Sequence, residues 1–125
     1  MSNRLALIIE DAADLAVIFA EAVRAAGFRP EIIRTGDAAL ERLAVIVPDI
    51  VVLDLHLPHV AGTTILQRIR SDARLVQTKV IIATADPRMA EPFDGAADLV
   101  LLKPISFSQL RDLAARLRSN ATRDK

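Results

Sequence analysis

Five polar side chains follow apolar runs of the sequence, and their types suggest a reactive site. Glu10 and Asp11 follow LALII, Asp54 follows IVVL, Thr84 follows VIIA, and Lys103 follows LVLL. If these runs are parallel strands, their carboxyl ends lie at one edge of a sheet, where ligands bind in such folds. The sequence therefore predicts one site that combines three acids, a hydroxyl and an ammonium group.

The predicted site carries excess negative charge. Two like charges about 4 Å apart repel by roughly 4 kcal/mol at an effective dielectric constant near 20. A divalent cation would offset the net charge that three carboxylates and one lysine leave. Mg²⁺ suits these ligands, because it prefers oxygen and binds one or two carboxylates together with a substrate phosphate, whereas zinc requires His or Cys. We therefore expect Mg²⁺ as the cofactor.

A cation and a lysine at this site favour phosphoryl transfer. An ionised aspartate is a competent nucleophile for forming an aspartyl phosphate. The oxygens of the transferring group need cationic and hydrogen-bonding groups around them, which Mg²⁺, Lys103 and Thr84 would supply. Asp54 is the predicted acceptor of the phosphoryl group.

The apolar runs have the length and composition of strands that are buried on both faces. They cover residues 5–9, 49–54, 79–86 and 98–104, and a more polar run at 29–36 is expected at a sheet edge. Segments with helical spacing alternate with these runs. The alternation predicts an α/β fold with a parallel sheet that helices cover on both faces.

Three segments between the strands and one after them have helical spacing. The first carries an apolar stripe and ends near Gly27; the stripe consists of Leu15, Ile18, Phe19, Ala22 and Val23. The second follows Asp37, and the third follows Gly62. The last begins at Ser106, which forms a capping-box pattern with Gln109.

The segment between the fourth and fifth predicted strands differs from the others. It reads ADPRMAEPFDGAAD, contains Pro87 and Pro92, and has no apolar stripe. Proline removes a helical N–H donor and clashes with the preceding turn. We therefore predict that the fourth helix of the fold is short, distorted or missing.

Composition limits the class of protein. A length of 125 residues fits one domain, placed at residues 1–119, with a frayed polar tail at 120–125. Sixteen basic residues balance sixteen acidic ones, and aromatic residues make up 3%, so we expect no nucleic-acid partner. The chain has no cysteine and no apolar run near the roughly 20 residues that cross a bilayer, so we expect a cytoplasmic domain without membrane contact.

In this order, the motifs resemble the response regulator receiver domain, the phosphoacceptor module of two-component signalling. The motifs are IIED, VVLDLHLP, a glycine eight residues after Asp54, IIATA and LLKP. Each motif alone is weak, but five in order are specific, and the resemblance covers about residues 4–119. It implies a flavodoxin-like doubly wound sheet with strand order 2-1-3-4-5.

The resemblance implies how the site works. Asp54 would accept a phosphoryl group from a histidine kinase or a histidine phosphotransfer protein. The domain would catalyse only its own phosphorylation and dephosphorylation, so it would not be an enzyme. Lys103 would pair with Asp54 and then with the phosphoryl group, and Thr84 would hydrogen-bond the phosphoryl oxygens. A cis peptide bond before Pro104 is also implied.

The resemblance also implies the ligands of Mg²⁺. Asp11 and Asp54 would bind the ion directly, and Glu10 would act through water. The backbone carbonyl of His56 would supply a further oxygen. The imidazoles of His56 and His59 are expected to be exposed, because two loop histidines without a third ligand make a weak metal site.

Purely structural roles for the same residues are alternatives at this point. Taken alone, Asp11 could cap the first helix, and Asp54 could be an ordinary residue at a strand end. Lys103 could be a surface lysine before a turn proline, and Thr84 could serve only the strand. The shared position of these residues at strand ends favours the functional interpretation.

Two departures from the family leave alternative functions open. Val100 stands where the family usually has Tyr or Phe, and the fourth helix is predicted to be truncated. These departures leave a phosphorylation-independent interaction module (a pseudo-receiver) as an alternative. A phosphatase with an aspartyl-phosphate intermediate is less favoured, because His56 stands where such enzymes usually have a second acid. We expect the output to be binding to a downstream protein, whose identity the sequence does not reveal.

Overall fold

A parallel sheet of five strands forms the centre of the protein. The computed structural model describes residues 4–93 and 95–123. The strands are β1 (Leu5–Ile9), β2 (Arg29–Ile33), β3 (Ile50–Asp54), β4 (Lys79–Thr84) and β5 (Leu99–Leu102). Their order is β2-β1-β3-β4-β5, and all neighbours are parallel. The predicted flavodoxin-like fold is confirmed.

Four α-helices cover the two faces of the sheet. They are α1 (Ala13–Ala25), α2 (Gly36–Leu43), α3 (Gly62–Ser71) and α4 (Phe107–Arg123). Side chains of α1 and α4 share one apolar cluster with Ala6 and Ile8, and side chains of α2 and α3 share another with Leu7 and Ile9. Because successive side chains of a strand point to opposite faces, a strand between two helical layers needs apolar residues throughout.

The more polar run forms an edge of the sheet, as predicted. Strand β2 pairs only with β1, and Ile33 is its one fully buried residue. Every residue of β1, which lies between β2 and β3, is buried. The difference in polarity between the two strands therefore follows from their positions in the sheet.

The buried face of α1 overlaps the predicted stripe but does not coincide with it. Ile18 is 40% exposed, so its assignment to the buried stripe was wrong, while the small side chains of Ala16 and Ala20 are buried. Gly27 ends the helix as predicted, with a φ of 99° that favours glycine. The Phe28 N–H donates to the Val23 carbonyl at 3.0 Å, which closes the last turn.

A short 3₁₀ segment, Pro87–Phe93, replaces a full α-helix between β4 and β5. The prediction of a short, distorted or missing fourth helix is therefore confirmed. Val100 and Leu102 of β5 are 43% and 54% exposed. A second 3₁₀ turn, Ala73–Leu75, leads from α3 into β4.

The last helix begins at the predicted cap but extends into the predicted polar tail. Ser106 caps α4, because its hydroxyl accepts the Gln109 N–H at 3.0 Å. The helical backbone continues to Arg123, so residues 120–123 of the predicted polar tail are helical, and 124–125 lie outside the described residues. The domain limit at residue 119 stays a prediction. Within the described ranges, no helix combines the length and the apolar character needed to cross a membrane.

Gly62 lets the start of α3 pass close to the end of β3. A Cβ atom on this residue would overlap the carbonyl oxygen of Asp54 and lie 2.6 Å from the Cα of Leu55. Both neighbours are backbone atoms, so a side chain could be accommodated only by moving the loop that follows Asp54. Glycine at this position therefore supports the position of Asp54 directly.

We expect Gly62→Ala to lower the free energy of unfolding by about 3 kcal/mol, because the methyl group overlaps fixed backbone atoms. Gly95→Ala is the comparison, since a Cβ there meets no atom within 4 Å and only the φ of 91° is unfavourable. The free energy of unfolding of Gly95→Ala should fall by about 1 kcal/mol. Urea unfolding followed by circular dichroism measures both values. Equal losses would contradict the close approach at Gly62.

Candidate functional site

Four of the predicted residues meet at the carboxyl edge of the sheet. The carboxylates of Glu10, Asp11 and Asp54 each offer an oxygen, and these oxygens lie within 4.8 Å of one another. The Nζ atom of Lys103 lies 3.0 Å from Oε1 of Glu10 and 3.4 Å from Oδ1 of Asp54. We call these four residues the acidic site.

The fold places these residues through the ends of three strands. Asp54 is the last residue of β3, Glu10 directly follows β1, and Lys103 directly follows β5. Glu10 and Asp54 are 1% and 3% exposed, and the Lys103 side chain is 18% exposed. Two nearly buried carboxylates therefore share one partly buried ammonium group.

Burial raises the pKa of the Glu10 carboxyl above its usual value of 4.5. The hydrogen bond from Lys103 lowers this pKa, and the charge of Asp54 raises it, with a net upward shift. The other oxygen of Glu10, Oε2, accepts the N–H of Ala12 at 3.2 Å. Glu10 therefore uses both carboxylate oxygens inside the protein.

Asp54 has one engaged oxygen and one open oxygen. Oδ1 accepts the backbone N–H of His56 at 3.0 Å and faces Lys103. Among residues 4–93 and 95–123, no hydrogen-bond donor contacts Oδ2. The open oxygen is available to a ligand that approaches from the edge of the sheet.

Asp11 is not the cap of the first helix. The N-cap position belongs to Ala12, and no side chain caps the helix. The carbonyl oxygen of Asp11 instead accepts two hydrogen bonds from Arg34, at 3.0 Å from Nε and 2.6 Å from Nη2. Arg34 could not be predicted from the sequence, because one basic residue after an edge strand forms no distinctive pattern.

Thr84 is buried, but its hydroxyl bonds within the next loop rather than to the acidic site. Oγ1 donates to the carbonyl of Asp86 and accepts the N–H of the same residue, both at 3.1 Å. The Asp86 carboxylate pairs with Arg88. The hydrogen bond from Arg88 holds the pKa of Asp86 below its usual value. Thr84 thus ends β4 at the same edge of the sheet as the acidic site, but its hydroxyl is hydrogen-bonded to the backbone of Asp86.

The two histidines and the peptide bond before Pro104 lie near the acidic site in the chain and agree with their predictions. His56 and His59 are exposed, as expected. The Lys103–Pro104 peptide bond is cis, as the resemblance implies. Neither imidazole belongs to the one group of potential metal ligands within the described ranges, which consists of the three acids.

Comparison with known proteins decides the family. The family model described as the response regulator receiver domain matches residues 6–115. The chain belongs to this family. Receiver domains generally act in signalling rather than as true enzymes, which agrees with the function expected from the motifs.

Curated relatives of similar sequence support this membership. The phosphate regulon transcriptional regulatory protein PhoB of Rhizobium meliloti (strain 1021) is 31% identical over 121 residues, which cover 94% of this chain and 52% of that protein. The receiver thus spans about half the length of PhoB and of several other curated relatives.

Two solved structures have the same fold. A CheY-like response regulator receiver domain from Methylobacillus flagellatus is 25% identical with a TM-score of 0.81, and covers 93% of this chain and 99% of its own. The response regulator TrrA of Thermotoga maritima, in complex with Mg²⁺ and BeF, is 23% identical with a TM-score of 0.80. This match covers 91% of the present chain and 98% of TrrA.

The raised pKa of Glu10 predicts how stability depends on pH. Because the folded-state pKa exceeds 4.5, the contribution of Glu10 to stability is present below pH 4.5 and is lost as the pH rises through the folded-state pKa. Glu10→Gln removes this loss. We therefore expect its free energy of unfolding, relative to wild type, to increase from pH 4 to pH 8 in EDTA, as measured by urea unfolding.

Glu31→Gln is a matched control with the opposite sign. The hydrogen bond from Arg42 lowers the pKa of Glu31, so that contribution is present above pH 4.5 and is lost as the pH falls. Relative to wild type, Glu31→Gln should therefore become less stable from pH 4 to pH 8. Parallel pH profiles for the two variants would contradict the assigned environment of Glu10.

Proposed function

We propose that this receiver domain accepts a phosphoryl group on Asp54 in a Mg²⁺-dependent reaction. The donor is a histidine kinase or a histidine phosphotransfer protein, and the output is binding to another protein. One observation carries the proposal: three carboxylates and the ammonium group of Lys103 converge at the carboxyl edge of the sheet.

The hydrogen bonds of the acidic site favour Asp54 as the nucleophile. Glu10 is occupied on both oxygens, by Lys103 and by the N–H of Ala12. Asp11 has no lysine at its carboxylate among the described residues. Asp54 combines a lysine and a backbone N–H on Oδ1 with an open Oδ2. Of the three acids, Asp54 thus alone combines an open carboxylate oxygen with an ammonium group at its other oxygen.

The acidic site fits a hard divalent cation, because its ligand atoms are carboxylate oxygens close together. Asp11 and Asp54 would hold Mg²⁺ directly, with Glu10 acting through water and the carbonyl of His56 supplying another oxygen. When bound, Mg²⁺ would offset the negative charge of the site and stabilise the oxygens of the transferring group. The complex of TrrA with Mg²⁺ and BeF supports this choice of ion.

Lys103 and Thr84 would hold the phosphoryl group after transfer. Lys103 lies within 3.4 Å of Oδ1 of Asp54, so its ammonium group can follow the charge onto a phosphoryl oxygen. Thr84 must release both hydrogen bonds to Asp86 before its hydroxyl can turn to the phosphoryl group. Phosphorylation would therefore change the loop that begins at Thr84.

Phosphorylation can be tested with acetyl phosphate and Mg²⁺. We expect mass spectrometry to detect one phosphoryl adduct on wild type and on Asp37→Asn, which removes an exposed acid of α2. Asp54→Asn should give no adduct, because an amide cannot act as the nucleophile, and EDTA should abolish the reaction of wild type. An adduct that persists in Asp54→Asn would refute the assignment.

Binding of Mg²⁺ can be tested without phosphoryl transfer. Mg²⁺ at 100 times its dissociation constant should raise the free energy of unfolding of wild type by about 2.7 kcal/mol. Asp11→Asn should lose most of this increase, whereas Asp37→Asn should keep it. Thermal unfolding followed by circular dichroism measures the effect. Equal stabilisation of all three proteins would contradict the proposed ligands.

One observation favours a second function, that of an interaction module without a phosphorylation switch. Val100 has no aromatic ring that could swing inward, and its side chain is already 43% exposed. Amide hydrogen exchange with and without beryllofluoride separates the two functions. The proposed receiver function requires altered exchange at Asp86 in the mimic complex, because Thr84 leaves its turn. Bound mimic with unchanged exchange throughout the chain would favour the second function.

A further inference from the structure

The backbone of Asp11 is held by a side chain from a different strand. Arg34 directly follows β2, and both its Nε and Nη2 donate to the single carbonyl oxygen of Asp11. The distances are 3.0 and 2.6 Å, and the side chain reaches across 23 positions of the sequence. This contact lies directly beside the acidic site.

The other contacts of this loop show what Arg34 adds. The N–H of Glu10 donates to the Ile33 carbonyl at 3.1 Å, and the N–H of Ala12 donates to the Glu10 carboxylate at 3.2 Å. The carbonyl of Ala12 accepts the first helical bond, from Ala16. Within the described residues, the hydrogen bonds to the carbonyl of Asp11 come from Arg34. Arg34 therefore completes the hydrogen bonding of the β1–α1 loop.

The carboxylate of Asp11 itself has no such support. No hydrogen-bond donor contacts it within the described parts of the chain, and it does not cap α1. Its position depends on the backbone to which it is attached. A planar guanidinium group that donates two bonds to one carbonyl restricts the rotation of that peptide more than a single flexible donor could.

We propose that Arg34 is a positioning residue for the metal site, which it serves by fixing the Asp11 peptide so that the carboxylate faces Glu10 and Asp54. This inference rests on the proposed function, because it concerns the affinity for Mg²⁺. Groups that orient metal ligands typically contribute 10- to 100-fold to metal affinity. Arg34 does not contact the reacting atoms.

The positive charge of Arg34 and its hydrogen bonds affect the affinity for Mg²⁺ in opposite directions. The two effects can therefore be distinguished by experiment. A positive charge near the acidic site repels a cation, so loss of the charge alone would tighten Mg²⁺ binding. Loss of the two hydrogen bonds would weaken it. Since Arg34 is exposed and its charge is screened by salt, we expect the loss of the hydrogen bonds to dominate.

Mg²⁺ binding to Arg34→Ala tests the inference. Isothermal titration calorimetry at 0.15 M salt should give a dissociation constant about tenfold higher than that of wild type. With acetyl phosphate, the Mg²⁺ concentration for half-maximal phosphorylation should rise by a similar factor, while the rate at saturating Mg²⁺ stays near that of wild type. A general structural defect would lower the saturating rate as well.

Two further variants serve as controls. Arg24→Ala removes one positive charge from the last turn of α1, about 18 Å along the helix from Ala12, and should bind Mg²⁺ as wild type does. Arg34→Lys keeps the charge but cannot make both hydrogen bonds, so its affinity should also fall. Unchanged or tighter binding by Arg34→Ala, or wild-type affinity of Arg34→Lys, would overturn the inference.

Amide hydrogen exchange of the metal-free proteins gives a readout that does not depend on Mg²⁺. We expect Arg34→Ala to speed exchange at the N–H of Ala12, while exchange in β1 stays as in wild type. Unchanged exchange at Ala12 would show that Arg34 does not hold the loop and would overturn the inference. Failure of wild type to bind Mg²⁺ would instead refute the proposed function, and the exchange result would still decide whether Arg34 fixes the loop.

Discussion

Two nearly buried carboxylates next to one ammonium group are the constraint on which the site depends. Glu10 and Asp54 are almost fully removed from solvent, and Lys103 is the cation that contacts both. Burial and repulsion favour protonation of Glu10, so this arrangement is costly without a further positive charge. Because this arrangement is unfavourable in the metal-free protein, binding of a cation or a change of charge on Asp54 should alter its free energy strongly. The proposed chemistry follows from this imbalance.

The fold supplies the constraint through parallel strands. Because β1, β3, β4 and β5 run in the same direction, residues far apart in the chain end at one edge. Gly62 then allows α3 to pack against the end of β3 without displacing Asp54. The same fold leaves β5 poorly covered, since a 3₁₀ segment stands where a full helix would shield Val100 and Leu102. The three acids and Lys103 are thus brought together at one edge of the sheet, beside a β5 surface that no full helix covers.

Most of the fold could be predicted because each strand carries a local signal. The continuous apolar run of β1 and the polar pattern of β2 identify an inner and an edge strand, and the prolines at 87 and 92 identify the weak helix. Ile18 was misassigned because the period of a helix locates an apolar stripe only approximately, and neighbouring alanines supply the buried face. Helical periodicity does not determine which of several apolar residues faces the sheet.

The motifs, and the family resemblance that they carry, were enough to predict the family and the strand order, and the residue types at the strand ends were enough to predict the acidic site. The folded structure was needed to show that Lys103 lies closer to Glu10 than to Asp54, that the hydroxyl of Thr84 is bound within its own loop, and that Arg34 donates to the Asp11 carbonyl. These contacts could not be predicted, because residue types and their spacing identify only strand ends and charges, whereas hydrogen-bond partners depend on side-chain directions across strands that are distant in the chain.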